Sequence, residues 1–200
     1  MIQWQSIEIP QLIKDNCVVT DKGMPVPYIV LEDNGVHHFK INDQKKVMDC
    51  LIHDKCTICG TELHDDIWFI GGPASAFHKH GAFNDAPVHK CCGEYALKVC
   101  PYLAYSRYIS KIDLEKLQSK LEYKHLLVNP TKDSDRVPLF AFVKTSEYKI
   151  NSGTGTFRPV RPYLEIEYWN DGKQLSDKDG IEIVTSLFNE KYNINNLIDL

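Results

Sequence analysis

The sequence predicts an α+β fold, a single mixed domain over residues 1–200 in which an antiparallel sheet accompanies a compact cysteine-containing unit. Apolar residues alternate along several short stretches, as in half-buried strands, and recur at helical spacing in others. A Cys-x-x-Cys-Gly motif, CTICG at 56–60, lies among these stretches. The 200 residues are 43% hydrophobic and 25% charged, which is ordinary for a globular protein with a well-formed core.

Charge and cysteine usage disfavour several classes of protein. A formal charge of -4 and a pI near 6.0 argue against the broad basic field that non-specific nucleic-acid binding requires. The first residues lack the basic start and apolar run of a secretory signal, and no later stretch is long enough to span a bilayer. Seven cysteines in such a chain fit metal binding in a reducing compartment better than a disulfide framework. We therefore expect a cytoplasmic protein without a membrane partner.

The first third of the chain is expected to contain short extended segments followed by one helix. Prolines such as Pro10 and Pro25 interrupt the segments and remove the backbone donors that a helix needs. Asp43 is a candidate N-cap for a helix that carries Cys50 on its apolar face. This helix would deliver the chain directly to Cys56, and Cys50 is interpreted as a core residue.

Cys56 and Cys59 give the strongest local signal in the sequence. The two-residue gap lets both sulfur atoms reach one ion, and Gly60 permits the left-handed backbone that turns amide groups towards the thiolates. Two free buried thiols or a redox pair are the alternatives. A redox pair belongs at a strand-to-helix junction in a βαβ unit, which the neighbouring sequence does not offer. We interpret the pair as half of a zinc site.

The stretch that follows this pair, DIWFIGGP at 66–73, predicts a buried strand ended by a tight turn. Its two glycines do not indicate a phosphate-binding loop, because neither a Walker sequence nor GxGxxG spacing is present.

A helix is predicted from Pro87 to Val99, with Asn84 or Asp85 as its cap and the proline at the first helical position. Its apolar stripe consists of Cys92, Ala96, Val99 and Leu103. Cys100 precedes a proline at the expected helix end, and we expect it to be buried and to bind no metal.

His89 and Cys92 are the predicted second half of the zinc site. Three residues apart on a helix, they lie on adjacent corners of one face, whereas Cys91 is rotated away from His89 by about 200°. Cys91 stays an alternative to Cys92, because helix starts are uncertain by a residue or two. A treble-clef zinc finger typically consists of a short turn that carries two cysteines, a strand-and-loop segment, and two further ligands at the start of a helix. Residues 56–103 are predicted to follow this order. The predicted ligands of one structural Zn²⁺ are Cys56, Cys59, His89 and Cys92.

Residues 104–200 are predicted to add a helix, a pair of strands and a closing helix. Asp113 would cap the first helix, and the two strands are expected over 137–150 and 162–169. In the second strand alternation places Glu165 and Glu167 outward and three other side chains inward, namely Leu164, Ile166 and Tyr168. Ser176 would cap the closing helix, whose inward residues are Ile181, Val184, Leu187 and Phe188.

Six segments, taken in order along the chain, form a composite pattern. They are DKGMPVPY (21–28), HHF (37–39), CTICG (56–60), FIGGP (69–73), PVHKCCGEYALKVCPYL (87–103) and YLEIEYWNDGKQLS (163–176). Together they resemble a family of uncharacterised bacterial and phage zinc-binding proteins. That family shows Gly-x-Pro-Val-Pro, Cys-x-x-Cys-Gly, a Gly-Pro turn, and Pro-x-His-x-x-Cys-Ala-x-Tyr-Ala leading to Cys-Pro-Phe-Leu.

The resemblance implies the same four metal-binding residues, Cys56, Cys59, His89 and Cys92, and makes Cys91 an addition of this sequence. Gly93 stands where the family has alanine, and Tyr102 stands where it has phenylalanine. The stretch FHKHG (77–81) departs further from the family pattern. No activity accompanies the family, so the resemblance implies a metal and leaves function open.

Three function classes are compatible with these motifs. An HNH-like metal-dependent nuclease would need a histidine base, an asparagine and a further metal-binding histidine. The available residues are His64, His78, His80 and Asn84, with Asp65 and Asp66 as candidate carboxylates. The order of these residues along the chain fits such an enzyme poorly, because no Asp-His pair precedes the loop that contains His78 and His80.

The second class is a binding or regulatory module that uses zinc only as a structural staple, with a protein or nucleic acid as its partner. FHKHG (77–81), including His78, Lys79 and His80, could form a small basic patch with three further side chains. These are Lys90, Arg158 and Arg161. The third class is a structural part of a phage or host assembly. The binding module is the favoured interpretation, because four protein ligands leave zinc no open position for catalysis.

Overall fold

The computed structural model of the chain describes residues 4–104, 137–151, 153 and 155–200. The strands are β1 (Val30–Asp33), β2 (Val36–Asn42), β3 (Ile67–Gly71), β4 (Phe140–Thr145), β5 (Tyr148–Asn151), β6 (Thr156–Pro159), β7 (Glu165–Asn170) and β8 (Lys173–Gln174). The α-helices are α1 (Gln11–Asn16), α2 (Gln44–Ile52), α3 (Pro73–Phe77), α4 (Lys90–Val99), α5 (Pro101–Ala104) and α6 (Asp177–Leu187). Short 3₁₀ turns cover Trp4–Ser6 and Ile194–Asn196, and a π-helical turn covers Phe188–Tyr192.

A four-stranded antiparallel sheet, in the order β3-β4-β7-β8, forms the centre of the described structure. Two separate hairpins accompany it, β1 with β2 and β5 with β6. The predicted α+β class with antiparallel pairing is confirmed, whereas the single domain over residues 1–200 stays a prediction. Of the helices described here, none is long and apolar enough to cross a membrane.

The two faces of the sheet contact different cores, because successive side chains of a strand point to opposite faces. One core contains the cysteine motif and α4, and it receives four large side chains from the sheet. These are Trp68, Phe140, Phe142 and Trp169. The other core contains α3 and α6 and receives Phe69, Ala141, Val143 and Tyr168. Neighbouring residues of β3 and β4 therefore belong to different cores.

The N-terminal third contains more regular structure than the sequence predicted. α1 follows Pro10, whose carbonyl accepts the N–H groups of Ile13 and Lys14. β1 and β2 form a hairpin whose turn places Asn34 and Gly35 at positive φ, 49° and 78°. Both residues tolerate this left-handed conformation better than most. The hairpin and α1 were not among the predicted elements.

The helix predicted to start at Asp43 is confirmed as α2. The Asp43 carboxylate accepts the N–H groups of Lys45 at 2.9 Å and Lys46 at 3.4 Å, as an N-cap does. Cys50 is 2% exposed and lies inside the fold, as expected of a core residue. Three residues separate the end of α2 from Cys56, so the helix leads directly to the cysteine motif.

α4 begins three residues later than Pro87, the predicted start, and ends at Val99 as expected. The reason is a backbone bridge between Val88 and Trp68, in which each N–H donates to the other carbonyl, at 2.9 and 3.0 Å. This bridge keeps the backbone before the helix in an extended conformation, so that His89 is the N-cap residue.

From residue 137 onwards, strands are followed by a helix as predicted, with local differences. The stretch expected as one strand over 137–150 forms two, β4 and β5. Leu164 is 59% exposed because it precedes β7, and Glu167 is buried because its face of the sheet is covered by Lys90 and Trp169. Ile181 is 38% exposed, although it was expected to face inward.

Ser176 caps α6 as predicted, accepting the Asp179 N–H at 3.2 Å. The helix predicted near Asp113 lies outside the described residues.

Candidate metal centre

The Cys56–Gly60 motif forms a tight turn closed by its own backbone. The Cys56 N–H donates to the Thr61 carbonyl at 2.8 Å, and the Gly60 N–H donates to the Cys56 carbonyl at 2.8 Å. Gly60 has a φ of +76°, and a Cβ there would lie 2.8 Å from the ring of Tyr28. Glycine is therefore required both by the left-handed backbone and by the packed aromatic ring.

Two other segments hold this turn from the sides. The Tyr28 N–H donates to the Ile58 carbonyl at 2.8 Å, which joins the turn to the chain before β1. The Thr57 N–H donates to the Pro87 carbonyl at 3.3 Å, which joins it to the segment before α4. The turn thus lies between the N-terminal arm and the start of α4.

The start of α4 places His89 and Cys92 against this turn. His89 is the N-cap residue, and Cys92 lies in the first helical turn. With Cys56 and Cys59 they form a cluster in which one candidate ligand atom from each residue lies within 4.8 Å of the others. All four are buried, with exposures of 0% for Cys56 and Cys92, 3% for Cys59 and 7% for His89. The structure brings together the four side chains chosen from the sequence, and this cluster could hold a metal ion.

Polar groups of the chain lie close to two of the four candidate ligand atoms, the sulfur atoms of Cys56 and Cys59. The N–H groups of Ile58 and His89 lie 3.4 and 3.5 Å from Cys56 Sγ. The Thr61 hydroxyl lies 3.1 Å from Cys59 Sγ. These neighbours leave room for hydrogen bonds to sulfur that a metal-bound thiolate can accept.

The two nitrogen atoms of His89 have different partners. Nε2 lies 2.9 Å from the Glu62 carbonyl oxygen, an acceptor, so Nε2 carries a proton and donates it. Nδ1 lies 3.4 Å from Cys59 Sγ and faces the sulfur atoms. Nδ1 is therefore the atom that His89 offers to a metal, with Glu62 holding the ring in place.

Crowding of the sulfur atoms perturbs their protonation. Contacts with Cys56 and Cys92 hold the pKa of Cys59 well below its usual range, while contacts with Cys56 and Cys59 hold the pKa of Cys92 well above its usual range. Burial lowers the pKa of His89, but hydrogen bonds to Cys56 and Cys59 outweigh burial and raise it to about 11. Because thiolates and a neutral imidazole are the forms that bind metal, uptake of an ion here would release protons and depend on pH.

The remaining cysteines lie outside the cluster. Cys91 and Cys100 are half-buried, and Cys50 is buried at 3.9 Å from the Cys56 carbonyl oxygen. Cys17, which sequence reasoning did not connect with the site, donates its thiol to the Ile58 carbonyl at 3.2 Å. Within the part of the chain that the structure describes, Cys91 does not take the place of Cys92.

The residues considered for a nuclease do not assemble. His78 stacks on Phe188 with ring centroids 6.3 Å apart, and its Nδ1 accepts the His80 N–H at 3.1 Å. Among the described residues, neither histidine joins a group of three or more His, Cys, Asp or Glu side chains that could hold a metal, and His64, Asp65 and Asp66 do not either. Asp66 instead accepts hydrogen bonds from Trp68 and Lys90.

Two cations of the predicted basic patch are engaged by acceptors of the chain itself. Arg161 donates to the carbonyls of Ala76 at 2.9 Å and His78 at 3.0 Å, at the end of α3. Lys90 Nζ lies 3.2 Å from Glu165 and 3.1 Å from Glu167. The patch expected to join FHKHG with Lys90 and Arg161 is therefore reduced by these internal contacts.

In comparisons with known proteins, no protein-family model, no curated protein and no solved structure matches the chain.

Proposed function

We propose that the protein is a zinc-stapled binding or regulatory protein, in which Cys56, Cys59, His89 and Cys92 hold one structural Zn²⁺. The observation that carries this proposal is the buried cluster of three thiols and one imidazole, with ligand atoms within 4.8 Å of one another. Sulfur and imidazole nitrogen are the usual ligands of structural zinc. In a tetrahedral site such ligands lie roughly 3.5–3.8 Å apart, and the 3.4 Å between Cys59 Sγ and His89 Nδ1 fits that spacing.

The ligand set favours a structural ion over a catalytic one. Four protein ligands complete a tetrahedral shell, so no position is left for an activated water. Burial of all four residues also keeps substrate away from the ion. The HNH-like nuclease needs a separate reactive metal site, and among the described residues neither His78 nor His80 joins a group of candidate metal ligands.

The order of the elements supports a treble-clef-like finger over residues 56–103. The turn at Cys56–Gly60 comes first, an excursion through β3 and α3 follows, and the first turn of α4 brings the second pair of residues. The resemblance to a bacterial and phage family of zinc-binding proteins supports the same four ligands and an origin in bacteria or phages.

A protein is the favoured partner. The formal charge of -4 opposes attraction to phosphate backbones, and Lys90 and Arg161 are already engaged by acceptors of the chain itself. The proposed role is therefore that zinc shapes a surface which another protein recognises, in the cytoplasm, where thiols stay reduced.

Elemental analysis of protein purified without chelator tests the zinc proposal. We expect one zinc ion per chain, its loss in Cys59→Ser, and its retention in Cys91→Ser, which changes a neighbouring thiol outside the cluster. Cys92→Ser should behave like Cys59→Ser. Protein without stoichiometric metal, or a Cys59→Ser variant that keeps both its metal and its melting temperature, would refute the proposal.

The same preparation also separates the binding protein from the nuclease. Incubated with plasmid DNA and Mg²⁺ or Mn²⁺, it is expected to leave the DNA intact and to produce no mobility shift at low salt. Metal-dependent cleavage that is absent from a His78→Ala, His80→Ala double variant would favour the nuclease instead.

A further inference from the structure

α4 supplies two of the four clustered residues, so the position of its first turn decides whether the cluster closes. The first N–H groups of a helix have no partner within the helix, and the N-cap side chain usually accepts one of them. Here the N-cap residue is His89, whose side chain makes no capping hydrogen bond because it faces the cysteines and Glu62. The helix start therefore needs an acceptor from elsewhere.

Asp66 provides that acceptor from a segment 24 residues earlier in the chain. One carboxylate oxygen, Oδ2, accepts the N–H of Lys90, the first helical residue, at 2.9 Å. The other, Oδ1, accepts the indole N–H of Trp68 at 2.8 Å. Both oxygens are therefore engaged, and the carboxylate is oriented towards the helix.

Trp68 fixes this carboxylate to the core. The indole ring is fully buried and packs against Phe142, with ring centroids 4.5 Å apart. The Asp66 N–H donates to the Leu63 carbonyl at 2.9 Å, which closes the turn just after the cysteine motif. Asp66 thus connects three parts of the site: the turn that follows the motif, the buried sheet and the first turn of α4.

We infer that Asp66 is a positioning residue for the metal centre, which holds the start of α4 where His89 Nδ1 and Cys92 Sγ meet the sulfur atoms of the motif. The inference rests on the proposed zinc site. Its effect is geometric: three thiolates around one Zn²⁺ already leave a net negative charge, so a further carboxylate does not attract the ion but places the helix that carries the ligands. Groups that orient metal ligands in this way typically contribute about 10- to 100-fold to metal affinity.

The test compares metal affinity and coordination geometry in zinc-loaded, full-length variants. Competition with a chromogenic chelator measures the affinity for zinc, and the visible spectrum of the cobalt-substituted protein reports the geometry of the ligands. We expect Asp66→Ala to lose zinc affinity by about 10- to 100-fold and to alter the cobalt spectrum. Asp66→Asn retains one oxygen that can accept the Lys90 N–H but turns its NH₂ group, a donor, towards the Trp68 N–H, so it should restore only part of the affinity.

Ser176→Ala is the matched control, because it removes the N-cap of α6, which packs in the other core. It should lower the melting temperature without changing zinc affinity or the cobalt spectrum. If Asp66→Ala behaves like Ser176→Ala, with lower stability and unchanged metal binding, Asp66 is merely structural and the inference is wrong. Should Asp66→Ala fail to fold, unchanged affinity in both Asp66→Asn and Asp66→Ser overturns it instead. A wild-type protein that takes up neither zinc nor cobalt would refute the proposed function itself.

Discussion

Gly93 lies where α4 packs against Phe142 of β4. A Cβ at this position would lie 2.4 Å from Phe142 Cζ and 3.0 Å from Val88 Cγ2, and both neighbours are buried. Alanine is the better helix former by about 1 kcal/mol, but overpacking a filled core costs about 1–3 kcal/mol. We expect packing to dominate, so Gly93→Ala should lower the urea midpoint of unfolding.

Ala96→Gly is the control in the same helix, at a half-buried position. It should cost about 1 kcal/mol through helix propensity alone. A Gly93→Ala variant more stable than the wild type would contradict the packing argument.

The four clustered residues could be chosen from the sequence because their signal is local. Cys56 and Cys59 follow from a two-residue gap, and His89 and Cys92 follow from their three-residue spacing at a predicted helix start. Asp66 and Cys17 could not be found in this way. Their contacts cross 24 and 41 residues of sequence, and only the folded chain brings those partners together.

At the scale of elements, Lys90 joins α4 to the edge of β7. Its ammonium group lies 3.1 Å from Glu167 and 4.7 Å from the centre of the Trp68 ring. Glu167 is 8% exposed, so loss of this cation would leave a buried carboxylate that relies on the indole N–H of Trp169. We expect Lys90→Met to reduce the free energy of unfolding by about 1–3 kcal/mol, as determined by urea titration.

Glu165→Gln is the comparison for this prediction. Glu165 also contacts Lys90, at 3.2 Å, but its side chain is 47% exposed. Exposed ion pairs contribute less than about 1 kcal/mol, and salt weakens them further. Equal losses in Lys90→Met and Glu165→Gln would show that the burial of Glu167 does not matter.

Elements with a local start signal were predicted well, and elements set by tertiary contacts were not. Asp43 and Ser176 marked the starts of α2 and α6 correctly. The start of α4 was wrong, because the bridge between Val88 and Trp68 outweighs the local preference of a proline for the first helical position. The β1–β2 hairpin was missed although Asn34-Gly35 is a strong turn signal in the sequence.

At the scale of the whole molecule, the two cores should respond differently to loss of the metal. The clustered cysteines belong to the core that contains Trp68, whereas α6 packs in the other one. Regions of a protein open with different free energies, which amide hydrogen exchange detects. After chelation we expect faster exchange in α4 and around Cys56–Gly60, and smaller changes in α6 and β6.

The zinc-free Cys59→Ser variant is the control for this experiment. Chelator should leave its exchange pattern unchanged, because no ion remains to be removed. A uniform loss of protection over both cores would contradict the separation and would indicate that the metal stabilises the described structure as one cooperative unit.

The division of the sheet into two faces also affects how mutational energies combine. Trp68 and Phe69 are adjacent in sequence but belong to different cores, whereas Trp68 and Phe142 belong to different strands and their rings are 4.5 Å apart. Energies of substitutions add when the sites share no contacts and deviate from additivity when the side chains touch. Thermodynamic coupling in this protein should therefore follow the faces of the sheet, so that residues distant in sequence depend on one another more strongly than immediate neighbours do.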